Sequence, residues 1–208
     1  MRIFKFFAAS LLVILFSFMF NPSFTNILHA GEFLVEAKGA YFRSTDHKFR
    51  KIYSNGGLFS GEINYQAWNN IYAWASGGYF YKKGSSIGLS NSTKITLVPV
   101  GFGLKYLYSC NCFDFYVGAG AQPTYVYIKD NSSFAIGTSS KWTWGGIVKV
   151  GAIWNIRQNF FIDLFADYSF TDVKFHRTNN GAVTRQRADL SGWSLGAGIG
   201  YRFGVCCR

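Results

Sequence analysis

From residue 113 onward, large apolar side chains alternate with small, polar or charged ones almost without a break. Phe113, Phe115, Val117, Ala119, Ala121, Pro123, Tyr125 and Tyr127 are interleaved with Asp114, Tyr116, Gly118, Gly120, Gln122 and Thr124. Trp142, Trp144, Gly146, Val148, Val150, Ala152 and Trp154 oppose Lys141, Thr143, Gly145, Ile147, Lys149 and Gly151. Phe160, Ile162, Leu164, Ala166, Tyr168 and Phe170 oppose Asp163, Phe165, Asp167 and Ser169, and the run from Gly192 to Phe203 follows the same rule. Successive side chains of an extended strand point to opposite faces, so each run presents one apolar face and one small or polar face. Eight strands are predicted, at about 32–43, 57–67, 71–83, 93–108, 113–128, 141–155, 159–173 and 190–203. The first three alternate less cleanly than the rest.

The connections sort by length. Trp68-Asn69-Asn70, Ser109-Cys110-Asn111-Cys112 and Ile156-Arg157-Gln158 are short turns, and between them fall long polar stretches at about 44–56, 84–92, 129–140 and 174–189. Short turns at one end and long loops at the other are the layout of a transmembrane barrel rather than of a Greek-key sandwich. Aromatic residues end the apolar faces, as expected of girdles at the two membrane surfaces. The segments are long enough to cross a bilayer when tilted, for which about 9–11 residues suffice.

The N-terminus agrees with export. Arg2 and Lys5 precede an apolar run from Phe6 to Phe20, and a polar stretch then leads to Leu28-His29-Ala30. This is the pattern of a cleaved signal peptide over 1–30, too short in its apolar part for a spanning helix, followed by a barrel domain over 31–208. Phe, Tyr and Trp make up 20% of the chain, a bias away from the residues that fill soluble helices.

Gly196, Gly198, Tyr201 and Phe203 resemble the C-terminal signal read by the outer-membrane assembly machinery, with Gly204-Val205-Cys206-Cys207-Arg208 following where the pattern usually ends. The export signal, eight strands, four long loops, three short turns and aromatic-ended last strand together resemble the small outer-membrane β-barrels of the OmpA, OmpX and OmpW type. The resemblance implies an all-β, eight-stranded, antiparallel up-and-down barrel in the outer membrane, with Gly198, Tyr201 and Phe203 as the assembly signal. It leaves activity open, since such barrels serve as anchors, adhesins, narrow pores and lipid-modifying enzymes.

In a barrel of this pattern Glu36, Lys38, Glu62, Asn64, Gln66, Lys105, Asp114, Lys149, Asp163, Asp167 and Arg202 face the interior. Eight strands leave an interior just wide enough for side chains, so these charges are expected to pair as a polar plug or to line a narrow pore for small solutes. Catalysis is not expected, because His47 and His176 both fall in the long loops and neither lies in a strand in a His-x-Ser arrangement, while Asp163 and Asp167 stand two pleats apart, a spacing that suits ion pairs. No cofactor and no metal is expected.

Of the formal charge of +11, Arg2 and Lys5 belong to the expected signal peptide, and much of the remaining excess is in the long loops, at Arg43, Lys48, Arg50 and Lys51 in the first, Lys82 and Lys83 at the start of the second, and Lys174, Arg177, Arg185 and Arg187 in the fourth. Such a rim suits the phosphates of lipopolysaccharide or, with Phe49, Tyr53 and Phe134, an adhesin-like contact with host or envelope surface molecules. Nucleic acid is a poor partner for an exported barrel. Cys110, Cys112, Cys206 and Cys207 all fall at the short-turn end, expected to be periplasmic and oxidising, where links to other envelope proteins are an option. Their spacing does not suit zinc. The expected role is structural or surface-interacting, with a narrow pore second and a lipid-modifying enzyme third.

Overall fold

A computed structural model describes residues 31–47, 50, 55–85, 92–110, 112–132, 135–156, 159–179 and 182–204. The expected signal peptide, Lys48, Lys51, Cys206 and Cys207 lie outside the described residues. Eleven β-segments follow in order: β1 (Phe33–Ser44), β2 (Gly56–Trp68), β3 (Ile71–Ser85), β4 (Ser92–Cys110), β5 (Phe113–Ala121), β6 (Thr124–Ser132), β7 (Ala135–Thr143), β8 (Gly145–Asn155), β9 (Phe160–Asn179), β10 (Ala182–Asp189) and β11 (Gly192–Phe203). Each pairs antiparallel with its neighbours, and β1 pairs with both β2 and β11. The sheet therefore closes into a barrel of eight strands, since β5 with β6, β7 with β8, and β10 with β11 are each one strand with a short interruption. Closure leaves no edge whose backbone groups would face hydrocarbon unpaired.

The interruptions have local causes. Proline lacks an N–H, so Pro123 cannot donate to the ladder and parts β5 from β6. The backbone there stays paired nonetheless, with Val100 N–H donating to the Pro123 carbonyl and Gln122 N–H to that of Gly145, each at 2.8 Å. At the opposite end the tight turn after Trp68 uses a left-handed Asn69, φ 38°, a conformation asparagine tolerates better than most side chains. Gln66 Nε2 donates to the Asn69 carbonyl and fastens that turn.

The strands run further than the polarity pattern predicts. Residues 129–140 and 174–189, expected as loops, are largely extended: β6 pairs with β7 as far as Ser132 with Ala135, and β9 with β10 as far as Asn179 with Ala182. Lys174, Arg177, Arg185 and Arg187 thus lie on a β-hairpin, with Lys174 directly opposite Arg187 and His176 opposite Arg185. Beyond the membrane a strand needs only backbone pairing and no apolar face, so the alternation that reveals the barrel strands fades there. The connection left between Asn179 and Ala182 is Asn180-Gly181, the dipeptide most favoured for two-residue hairpins.

Outside, the barrel is apolar. Leu104, Phe115, Val117, Val150, Leu164, Leu195 and Ile199 are all exposed. An apolar belt this continuous marks a membrane-facing surface rather than one meeting water. Aromatic pairs bound it at both ends: Phe113 with Trp154 and Phe160 with Tyr201 at the turn end, Tyr125 with Trp142 and Tyr168 with Trp193 at the loop end.

Candidate functional site

The inward face of β1 reads Leu34, Glu36, Lys38, Ala40, Phe42, and the same layering repeats around the barrel. Near the turn end lies an apolar layer of Leu34, Tyr72, Leu107, Tyr116, Ile153, Phe161 and Phe165. Near the loop end lies a second, built by Phe42, Phe80, Ile95, Leu97, Val126 and Leu190. Between them the charged groups meet.

Glu62 is the hub of this middle layer. Its carboxylate accepts from Lys105 Nζ at 2.6 Å and Lys38 Nζ at 3.3 Å, and also from Lys149 Nζ. These lysines come from β4, β1 and β8, so one carboxylate ties together strands on different sides of the barrel. Glu36 and Glu62 are direct cross-strand partners, a like-charge pairing that alone is unfavourable. Lys38 resolves it, lying 3.3 Å from each and 2.9 Å from Asp163. Lys149 also reaches Asp167 at 3.6 Å, Tyr116 donates its hydroxyl to Asp163 at 2.9 Å, and Asn64 Nδ2 donates to Glu36 at 2.9 Å. Aromatic faces complete the cages: Lys105 stands 4.2 Å from the Tyr116 ring centre, Lys149 4.3 Å from Trp74 and Lys38 4.8 Å from Phe165.

The small inward residues of the last strand now have a reason. Gly198 lies between Lys38 and Asp163 in one cross-strand row, and a Cβ there would stand 3.0 Å from the Lys38 side chain as it crosses to its partner. Gly200 lies beneath the Phe161 ring, where a Cβ would come within 2.2 Å of the ring. Glycine at these two positions makes room for groups that neighbouring strands send across.

Asp114 and Arg202 are set apart from this layer. Arg202 pairs with Asp114 at 2.7 Å and with Glu32 at 2.9 Å, closer to the turn end, and Tyr72 donates its hydroxyl to Glu32. Asn155 adds a bond to Asp114 at 3.0 Å. The interior residues named from sequence therefore form two polar clusters with apolar side chains between them. Tyr116 and Phe165 lie on the inward face, where alternation puts them, whereas Glu32, Tyr72, Trp74 and Phe161 were missed, because in strands such as β3 both faces are apolar and alternation does not mark the inward one. On the loop side of the ionic layer a cavity with about 70 Å³ of room for water is floored by Lys149 and Asp167. Ser60, Ser76, Ser169 and Ser194 are among its walls.

The remaining named residues lie outside the interior network. Arg43 is exposed at the end of β1, and Arg50 lies in the connection that follows. His47 is exposed in that same connection. Cys110 closes β4 and Cys112 lies in the turn after it, both as exposed free thiols. Tyr201 and Phe203 end β11 on the outer face, their rings 4.6 Å apart.

Neither a protein-family model nor a curated protein matches this chain. Solved structures do. The outer-membrane protein OprG of Pseudomonas aeruginosa is similar over 84% of this chain and 97% of its own, at 17% identity and a TM-score of 0.66. The Escherichia coli outer membrane protein W is similar over 84% and 99%, at 21% identity and a TM-score of 0.59. Ail, the attachment invasion locus protein of Yersinia pestis, solved with the heparin analogue sucrose octasulfate, is similar over 83% and 99%, at 17% identity and a TM-score of 0.53. Identities at this level speak to architecture, and the architecture agrees with strand pairing, closure and the apolar exterior: this chain has the fold of the small eight-stranded outer-membrane β-barrels.

Proposed function

We propose that the protein is an outer-membrane barrel with a closed interior, whose work is done at the surface by cationic hairpins that bind anionic polymers. The observation that carries the first half is the filling of the interior by two apolar layers around an ionic one. A conducting barrel needs a continuous wet path, whereas here Leu34 and Phe161 on one side and Phe80 and Ile95 on the other bracket the charges. The ionic layer holds the barrel together rather than passing solute. The hairpin of β9 and β10 supports the second half, with Lys174 and Arg187 paired across strands and Arg177 and Arg185 one register step apart. Ail, crystallised with a heparin analogue, supplies a precedent of the same fold for a sulfated ligand.

Heparin is the probe. The folded barrel is expected to bind heparin with salt-sensitive affinity, and K174Q/R177Q/R185Q/R187Q is expected to weaken binding. Four ion pairs with an external polymer, at about 0.2–1 kcal/mol each, imply at least roughly a fourfold loss in affinity. Unchanged binding by a folded quadruple variant would count against this surface.

A further inference from the structure

The middle ionic layer does not balance. Glu36, Glu62, Asp163 and Asp167 are four buried carboxylates against the three buried ammonium groups of Lys38, Lys105 and Lys149, so the layer carries one negative charge in excess. Among the described residues, the neighbouring charges do not make it up. On the turn side, Arg202 already serves both Asp114 and Glu32. On the loop side, Lys82 and Lys141 stand level with Ile95 and Val126 of the apolar layer, the first half-buried and the second exposed, and neither lines the cavity below. An ion without a counter-charge in a closed interior is strongly disfavoured.

The excess falls at Asp167. Glu62 meets three ammonium groups and Glu36 two, and Asp163 has Lys38 at 2.9 Å together with the Tyr116 hydroxyl. Among the described residues Asp167 has as ion-pair partner only Lys149, at 3.6 Å, and Glu62 holds that ammonium more closely. Asp167 is 8% exposed, and its Oδ1 has no hydrogen-bond partner among the described residues. This carboxylate borders the cavity on the loop side of the layer, where Ser194 lies directly opposite it, Ser169 is the next inward residue of β9, and Ser60 and Ser76 add further hydroxyls. Hydroxyl and carboxylate oxygens are the ligands of hard cations. A proton would restore neutrality but needs neither room nor hydroxyls, whereas about 70 Å³ accommodates a cation with several waters. A divalent ion would overshoot the deficit beside the Lys149 ammonium, and a monovalent one closes it.

We propose that this cavity is a binding site for a monovalent alkali cation, held by Asp167 with the Ser169 and Ser194 hydroxyls, which completes the charge balance of the ionic layer. The proposal rests on the closed interior argued above. The site is a dead end beside the ionic layer rather than a step in a permeation path, and its work is to hold the fold.

Urea unfolding of the barrel in phosphatidylcholine vesicles tests it, with Na⁺ and, separately, K⁺ exchanged for N-methyl-D-glucamine at constant chloride and ionic strength. For at least one of the two ions, once the site is near saturation, each tenfold rise in concentration is expected to lower the wild-type unfolding constant about tenfold, because the ion binds only the folded state. Asp167→Asn removes the least compensated charge and is expected to make the unfolding constant independent of the cation. S169A/S194A keeps every charge and is expected to need more cation for the same stabilisation. Wild-type stability indifferent to both ions would overturn the proposal and leave a proton as the balancing charge. A dependence unchanged in Asp167→Asn, or unchanged in the serine variant, would overturn it as well, since the ion would then sit elsewhere. Channel openings in a planar bilayer would instead count against the closed interior itself, so the two failures are distinguishable.

Discussion

Glu62→Gln is expected to cost the barrel about 3–5 kcal/mol of unfolding free energy, the range for removing one partner of a buried ion network. The size follows from geometry. Lys105 would keep only Glu36 at 3.7 Å, and Lys149 only Asp167 at 3.6 Å, so both ammonium groups would remain buried with their closest contact gone. Lys105 and Glu62 are each about 1% exposed in their side chains, so water offers little relief. Urea titration of the barrel folded in lipid vesicles, followed by the shift of its band in unheated electrophoresis, measures the loss. The double variant E62Q/K105M is expected to recover part of it, because it removes one of the stranded charges along with its partner. A loss no larger for Glu62→Gln than for an exposed substitution would mean that the interior network is not what holds these strands together.

Leu164→Arg is the second large effect, and it tests which way the barrel faces. Leu164 is 60% exposed and lies roughly midway between the aromatic bands on β9, with Phe160 on one side and Phe170 on the other. In water an exposed Leu→Arg change is close to neutral, within about ±0.5 kcal/mol. At the midplane of a bilayer the same change costs about 2–4 kcal/mol. The urea titration in vesicles should show that loss, and an equivalent Trp193→Arg change in the aromatic band should show less of it. A neutral result for Leu164→Arg would contradict a lipid-facing exterior.

The two effects come from opposite faces of the same strands, and the faces were readable to different degrees. Period two suffices to put Lys149, Asp163 and Asp167 on the side away from Trp154, Leu164 and Tyr168. It says nothing of partners. That Glu62 of β2 meets Lys149 of β8 depends on the closure of the sheet and on side chains crossing the lumen, neither of which is local. The aromatic filling was hidden for a different reason. Tyr72 and Trp74 alternate with Ile71, Ala73 and Ala75, so inward and outward residues are equally apolar and only the register separates them.

The hairpin beyond the membrane was hidden by the opposite condition. Residues 174–189 are mostly polar, with Phe175, Ala182, Val183 and Ala188 following no sustained alternation, so a pattern that detects one apolar face finds no strand there. The asparagine and glycine at 180–181 were the available signal, since that dipeptide between two possible strands favours a tight hairpin turn. Gly198 shows how one residue can carry more than one reading. From sequence it belongs to a terminal motif, and in the fold it clears the path between Lys38 and Asp163.

The central claim, a barrel whose interior is closed, is tested most directly by planar-bilayer recording of the refolded protein. A correctly inserted barrel is expected to show no discrete single-channel openings in symmetric salt, with insertion checked independently by protease protection of the strands in the same lipid. Discrete and reproducible openings, altered in amplitude by Lys149→Ala, would contradict it and make the ionic layer the lining of a pore.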